Sequence, residues 1–231
     1  MVTQIPTFIH ITPASVNDVN AMDHIPYEPF AYYIFDRAYV DFGRLYLINQ
    51  VLAFFVIRGK SNLKFRRVYS REVDKSTGVK VDQIIRLTGY KTAKQYPKKL
   101  RRIKFYDEES KCTFVFLTNN MELSACDIAF LYKNRWQVEL FFKWIKQHLK
   151  VKAFWGTTEN AVRIQIYSAI IAYCLVAIVK HDLKLPKTTY ETLHILGQSL
   201  FDKTPVKELF ISDDYRNPIN DSDNQLKFNL I

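Results

Sequence analysis

The sequence is poor in cysteine: Cys112, Cys126 and Cys174 are an odd number in 231 residues, and no two form a C-x-x-C pair. A disulfide framework and a Cys-rich zinc site are therefore excluded, and a reducing cytoplasm is expected. The five histidines, His10, His24, His148, His181 and His194, show no H-x-x-x-H spacing, so no histidine zinc site is encoded. Met1 to Thr12 lacks the basic region and long apolar run of a secretion signal. The longest apolar stretch, Ile164 to Val179, is interrupted by Gln165, Tyr167 and Ser168. It falls short of the ~20 residues a bilayer span needs and reads as a buried helix, so no membrane partner is expected. There is no internal repeat, and no acid precedes Asp18.

What is present is a core-forming composition, 48% apolar and 15% aromatic, which excludes a disordered tail and suits one large or two small domains. Lys and Arg total 33 against 23 for Asp and Glu, giving a net charge of +10. A polyanion is the first partner to consider, nucleic acid ahead of an anionic membrane surface. The charge is not evenly spread. Arg58 to Lys104 holds 16 Lys or Arg against Glu72, Asp74 and Asp82, a charge of +13, which exceeds the total of the whole chain and leaves −3 for the remainder.

The pattern of elements divides the chain into residues 1–57, 58–120, 121–185 and 186–231. In the first, Ile5 to Thr12 reads as a β-branched strand and Ala31 to Phe35 as a second strand ending at Asp36. Asp41 caps a helix through Gln50, and Phe54 to Ile57 is another strand. In the second, strand-like pieces at Arg67 to Val73, Val79 to Leu87, Ile103 to Tyr106 and Thr113 to Leu117 alternate with cations, which predicts a basic β-rich insertion with one cationic side. Its Lys98, Lys99, Arg101 and Arg102 are candidate phosphate contacts, as are Arg58 and Lys60 just past a strand, where a solvated loop is the alternative. In the third, Ser124 caps a long helix uninterrupted by Pro or Gly until Gly156, and Thr157 or Thr158 caps another to about Lys180. The tail from Asp213 to Ile231, rich in Asp and Asn, reads as loosely held.

On the first long helix, Tyr132, Arg135, Glu139 and Lys146 stand at offsets of 0, 3, 7 and 14. At ~100° per residue they share one face, a column of phenol, guanidinium, carboxylate and ammonium. A salt bridge to Lys143 would explain Glu139 as simple surface pairing. The alternative makes Glu139 a metal ligand, with Arg135 and Lys146 holding phosphates and Tyr132 orienting the strand, the combination phosphoryl transfer requires. Asp36, at the end of an apolar strand, is the natural second carboxylate, unless it is a turn residue or a partner for Arg37. Trp136, Trp144 and Trp155 read as core packing before base stacking.

The Tyr132, Arg135, Glu139, Lys146 spacing, the text LYKNRWQVELFFKWIKQHL and FWGTTENAV around it, and FDRAYVDF from Phe35 to Phe42 resemble the DDE transposases of bacterial insertion sequences, the insertion-sequence-4 group. The resemblance implies an α/β fold with an RNase H-like core, interrupted by a β-rich insertion and followed by long C-terminal helices. Residues 1–57 would be the N-terminal part of that core and residues 121–185 its C-terminal helices. It implies three acids holding two Mg²⁺ or Mn²⁺ ions, with Asp36 as the second acid and Glu139 as the third. It also implies duplex DNA as partner, at element ends and target, and allows a homodimer in the DNA complex. The first acid has no match, so the early strands are expected to be missing and the chain to be an inactive, truncated copy. The alternative is a non-catalytic DNA-binding remnant or regulator, which metal-dependent strand cleavage would distinguish.

Overall fold

The computed structural model describes residues 5–13, 15–149 and 153–210. Pro6–Lys143 forms one compact unit, and the described residues from Trp144 onward belong to another.

The first unit is built on one six-stranded sheet. Its elements are β1 (Tyr32–Phe35), α1 (Phe42–Gln50), β2 (Phe54–Arg58), β3 (Phe65–Ser70), β4 (Val79–Leu87), α2 (Tyr90–Gln95), β5 (Leu100–Asp107), β6 (Cys112–Thr118), α3 (Ala125–Lys133) and the start of α4 (Trp136–His148). The strand order is β1-β2-β6-β5-β4-β3. β1 and β2 run parallel, with α1 as their crossover, and every other pairing is antiparallel. The strands of the basic region thus extend the same sheet that begins with β1 and β2.

Alternation along each strand divides the sheet into two faces. Phe55 and Ile57 of β2, Ile85 of β4, Leu100 of β5 and Leu117 of β6 pack with Phe42, Leu45 and Ile48 of α1. Val56, Ile103 and Phe116 face the other way and pack with Ile128, Ala129 and Tyr132 of α3. Helices therefore cover both sides, and each fully buried Phe, Ile or Leu contributes roughly 1.5–3 kcal/mol relative to an exposed one. The expected caps form. The Asp41 carboxylate accepts from the Arg44 amide (3.1 Å) and the Ser124 hydroxyl from the Asp127 amide (3.0 Å), each satisfying a first-turn donor that would otherwise lack a partner.

Three expectations are corrected. Ile5 to Thr12 is not a strand; a β-branched run without a neighbouring strand has no ladder to join. The basic region holds an additional short helix, α2. The long helix expected from Ser124 is two helices, broken at Asn134 and Arg135. There the amides of Arg135, Gln137 and Val138 bond three residues back instead of four, tightening the chain between α3 and α4. No Pro or Gly marks this break.

In the second unit, α5 (Glu159–Asp182) is capped by Thr158 and α6 (Thr189–Gln198) by a Thr188–Glu191 capping box. Trp144 meets Tyr173 edge to face, ring centroids 5.0 Å apart, and His148 meets Tyr190 at 4.3 Å. α5 contains the long apolar run, but only Ala169, Ile170, Tyr173 and Val176 are buried, whereas Ile164, Ile171 and Leu175 are exposed. It is therefore not the buried helix expected, and among the described residues it is one helix long and apolar enough to cross a membrane. Trp155 is exposed and not a core residue. The Asp213 to Ile231 tail lies outside the described residues.

Candidate active site

The parallel register pairs Phe35 with Ile57 at the carboxyl ends of β1 and β2. One residue further along each strand stand Asp36 and Arg58. Side chains at the carboxyl ends of adjacent parallel strands open onto a crevice that no strand fills, the usual place for a ligand in an α/β sheet. Alternation turns Asp36 to the same face as Ile34, the face that α3 covers.

The break between α3 and α4 sets Arg135 opposite. Its Nη1 lies 3.7 Å from Asp36 Oδ2 and its Nη2 lies 2.8 Å from Glu139 Oε1. One guanidinium thus joins two carboxylates distant in sequence. The acid side chains keep 44% and 42% of their exposure, so water and a large substrate can reach both, whereas Arg135 keeps 23%. The guanidinium carbon lies 5.7 Å from the centre of the Tyr132 ring. Its Nε is buried without a hydrogen-bond partner among the described residues. Burial works against the Arg135 charge, but the Glu139 hydrogen bond, with the neighbouring Tyr132, Glu139 and Asp36, more than offsets it and holds the group above its ordinary value.

Tyr132 is not the free phenol of a helical column. It is buried, its ring 4.8 Å from that of Phe116. Burial, then the Asp36 charge, push its phenol above the ordinary range, so the hydroxyl stays protonated and supports Arg135 from beneath. Around these residues lies a cavity of about 500 Å³ whose lining includes Arg58, Phe114, Phe116, Tyr132, Arg135 and Trp136, with the charged Asp107, Glu109 and Lys133. Arg58 stacks over Phe114, 5.0 Å from the ring centre.

A model of the transposase DDE domain matches residues 2–175, which include both acids, the basic strands and most of α5. The chain belongs to the DDE transposase family. A Sinorhizobium fredii protein named as a transposase, y4zB, is 37% identical over 205 residues, covering 87% of this chain and 57% of the relative. A Geobacillus stearothermophilus protein named as the transposase of insertion sequence element IS5377 is 39% identical over 142 residues, 61% of this chain and 37% of that protein. The chain thus spans just over half the length of the first relative and less of the second.

For a DDE transposase domain the donor set at Asp36 and Glu139 is apt. Carboxylate oxygens are the hard ligands that Mg²⁺ and Mn²⁺ prefer, and Mg²⁺ commonly takes one or two carboxylates, with water and substrate phosphate filling its remaining positions. The two acids already converge on a cation, Arg135, so their orientation suits a positive charge between them. Among the described residues no cluster of three or more His, Cys, Asp or Glu side chains is placed to hold a metal ion.

Of the other sequence candidates, Arg58 joins the site, lining the cavity with Tyr132 and Arg135. Lys146 is exposed on α4, seven residues beyond Glu139, within the second unit. Lys98 and Lys99 are exposed between α2 and β5. Lys60 is exposed, and Arg58 and Arg102 are half-buried. Arg101 is the correction. It is 1% exposed and its guanidinium is committed to Asp82 (Nε–Oδ1 2.9 Å, Nη2–Oδ2 2.7 Å), so it cannot reach a phosphate. Trp136, 56% exposed and lining the cavity, was expected in the core.

Proposed function

We propose that this chain is the strand-cleaving and strand-joining part of a bacterial insertion-sequence transposase, acting on duplex DNA in the cytoplasm. The observation that carries the proposal is the meeting of Asp36 and Glu139 on one guanidinium at the carboxyl end of the parallel strand pair. The parallel β1-α1-β2 unit, the antiparallel strands beside it and helices on both faces support an RNase H-like core.

In this reading Asp36 and Glu139 would hold a divalent ion, Mg²⁺ or Mn²⁺. When bound, it supplies polarisation of the scissile phosphate and a more acidic attacking water or hydroxyl. Arg135 orients both carboxylates before substrate arrives, and its planar fork suits phosphate oxygens as well. Arg58, at the end of β2, offers a second guanidinium to the same strand. Chemically, water forms a new P–O bond as the P–O3′ bond breaks, leaving a 5′ phosphate and a 3′ hydroxyl. That hydroxyl then attacks a target phosphodiester and forms a new P–O3′ bond as the target's own P–O3′ bond breaks. Each displaced 3′ oxygen gains a proton as the attacking group loses one.

A second reading, a DNA-binding protein without chemistry, is favoured by one observation: Arg135 already pairs with both acids, as a purely structural ion pair would. Titration of the purified chain with Mn²⁺ distinguishes the two. The catalytic reading expects a saturable site whose affinity falls by about tenfold or more in Asp36→Asn and in Glu139→Gln, the loss typical of a disturbed metal site. Unchanged Mn²⁺ binding in Glu139→Gln would overturn it and leave the structural pair.

A further inference from the structure

On the other side of Arg58 the sheet carries a second cavity, of about 200 Å³. Its lining includes Arg37, Arg58, Lys60 and Arg102, with the hydroxyls of Ser61 and Thr113, and no carboxylate. The four cations come from four places in the chain: the turn after β1, the end of β2, the turn beyond it, and β5. The turn is anchored, since the Gly59 amide donates to the Val115 carbonyl of β6 (2.7 Å). Arg102 is likewise fixed, over the Phe65 ring at 5.1 Å and against the Gln83 amide oxygen at 3.3 Å.

The charge at this cavity is unbalanced. Four arginines outside the cavity find acids: Arg44 pairs with Asp23 and Asp41, Arg101 with Asp82, Arg135 with Asp36 and Glu139, Arg163 with Glu159. Among the described residues, none of the four cavity cations lies within 4.0 Å of a carboxylate. Burial pushes the Arg102 guanidinium below its ordinary value. Concave walls, fixed guanidinium forks and uncompensated positive charge together describe an anion site.

We propose that this cavity binds one dianionic phosphate group, held by Arg37, Arg58, Lys60 and Arg102 with Ser61 and Thr113 as neutral donors. A phosphate monoester or orthophosphate carries −1.5 to −2 near neutrality, more than a phosphodiester's single charge, and so matches a cluster of four cations better. The group comes either from solution or from the 5′ end of a DNA strand. The second source rests on the transposase reading above; the first does not. Arg58 lines both cavities, so a phosphate here sits beside the candidate active site without touching its acids.

The test has two arms, both on the whole chain. In the first, the melting temperature is followed against orthophosphate at constant ionic strength, with chloride as the balancing anion. We expect a saturable rise whose apparent dissociation constant weakens by about tenfold in Lys60→Gln and in Arg102→Gln, the loss of one charge-assisted contact. Lys203→Gln, an exposed lysine outside the cavity, should leave it unchanged. Because Lys60 is exposed, its variant keeps the test valid if Arg102→Gln folds poorly. No saturable rise, or the same loss in Lys203→Gln, overturns the proposal. In the second arm, two oligonucleotide duplexes differing only in a 5′-phosphate or 5′-hydroxyl are compared. Tighter binding of the phosphorylated duplex, abolished by Lys60→Gln, identifies a strand end as the source. Equal binding with the orthophosphate response intact assigns the cavity to free phosphate. Neither arm uses a divalent ion, so failure of the Asp36 and Glu139 reading would not mimic failure here.

Discussion

Arg101 and Asp82 meet beneath α3 as a bidentate pair, with side chains 2% and 6% exposed. The β4–β5 register pairs Asp82 with Ile103 and Ile84 with Arg101, so the two charges are diagonal neighbours on one face of the sheet. The third guanidinium nitrogen, Nη1, donates to the Leu123 carbonyl in the segment leading into α3. One side chain therefore ties two strands to the approach of the helix that carries Tyr132. Arg101→Ala leaves Asp82 as an uncompensated buried charge, for which the expected cost is about 3–5 kcal/mol. Urea unfolding should show the midpoint falling with the slope unchanged; a loss below about 1 kcal/mol would contradict the buried-pair account.

Asp36, Arg135 and Glu139 should behave in the opposite way. Both acids are half-exposed, so solvent screens the pairs, and Glu139→Gln should cost less than about 1 kcal/mol in the same urea measurement. A large loss would mean that Glu139 is there for stability, and would count against a catalytic role.

Salt dependence of DNA binding should divide the basic residues in the same manner. Lys98 and Lys99 are exposed, and each neutralised phosphate contributes a slope of roughly −0.9 in log affinity against log salt. Replacing both with Gln should flatten the slope by about two units if each meets a phosphate, whereas Arg101→Leu in a still-folded protein should leave it unchanged. Fluorescence anisotropy over a salt series would show this, and an equal effect of Arg101 would refute the assignment.

Acid stability should depend on Arg44. Its Nε and Nη2 each lie 2.7 Å from an Asp23 oxygen, and the hydrogen bond holds the Asp23 carboxyl below its ordinary value of 3.8. A carboxyl depressed in the folded state stabilises fully above its unfolded value, and the benefit is lost as pH falls through the folded one. Arg44→Met should therefore lower stability at neutral pH and shrink the loss seen on acidification below about pH 4. Urea midpoints between neutral pH and pH 2 would reveal it; parallel curves for the two proteins would not be consistent with this linkage.

The elements whose signals are local could be read from the sequence. Asp41, Ser124 and Thr158 announce their helices because a cap is decided by one side chain and the amides of the next turn. β4 has the expected bounds because its alternation is strong. Arg101 was misread because net charge is visible in sequence while pairing is not; Asp82 lies nineteen residues away, and only the strand register joins them. The break at Asn134 and Arg135 was hidden for a related reason: Arg135 stays with Tyr132 and Glu139 but also reaches Asp36 of another element. Of the cavity assembled from four separate segments, Arg58, Lys60 and Arg102 were legible as phosphate contacts, but their convergence with Arg37 was not, because only the sheet brings them together.

The two rims of the sheet are guarded unequally. At one rim β3 carries Arg66 and Arg67 and a register shift between Arg67 and Tyr69, devices that discourage a neighbour from zipping on. At the other, β1 reads Tyr-Tyr-Ile-Phe, with no charge and no bulge, and among the described residues no strand pairs with its outer side. Its backbone is a one-sided template. Any extended segment recruited to this sheet has a single berth, and that berth runs alongside the strand that ends at Asp36, so whatever occupies it arrives with its own side chains next to the candidate catalytic acid.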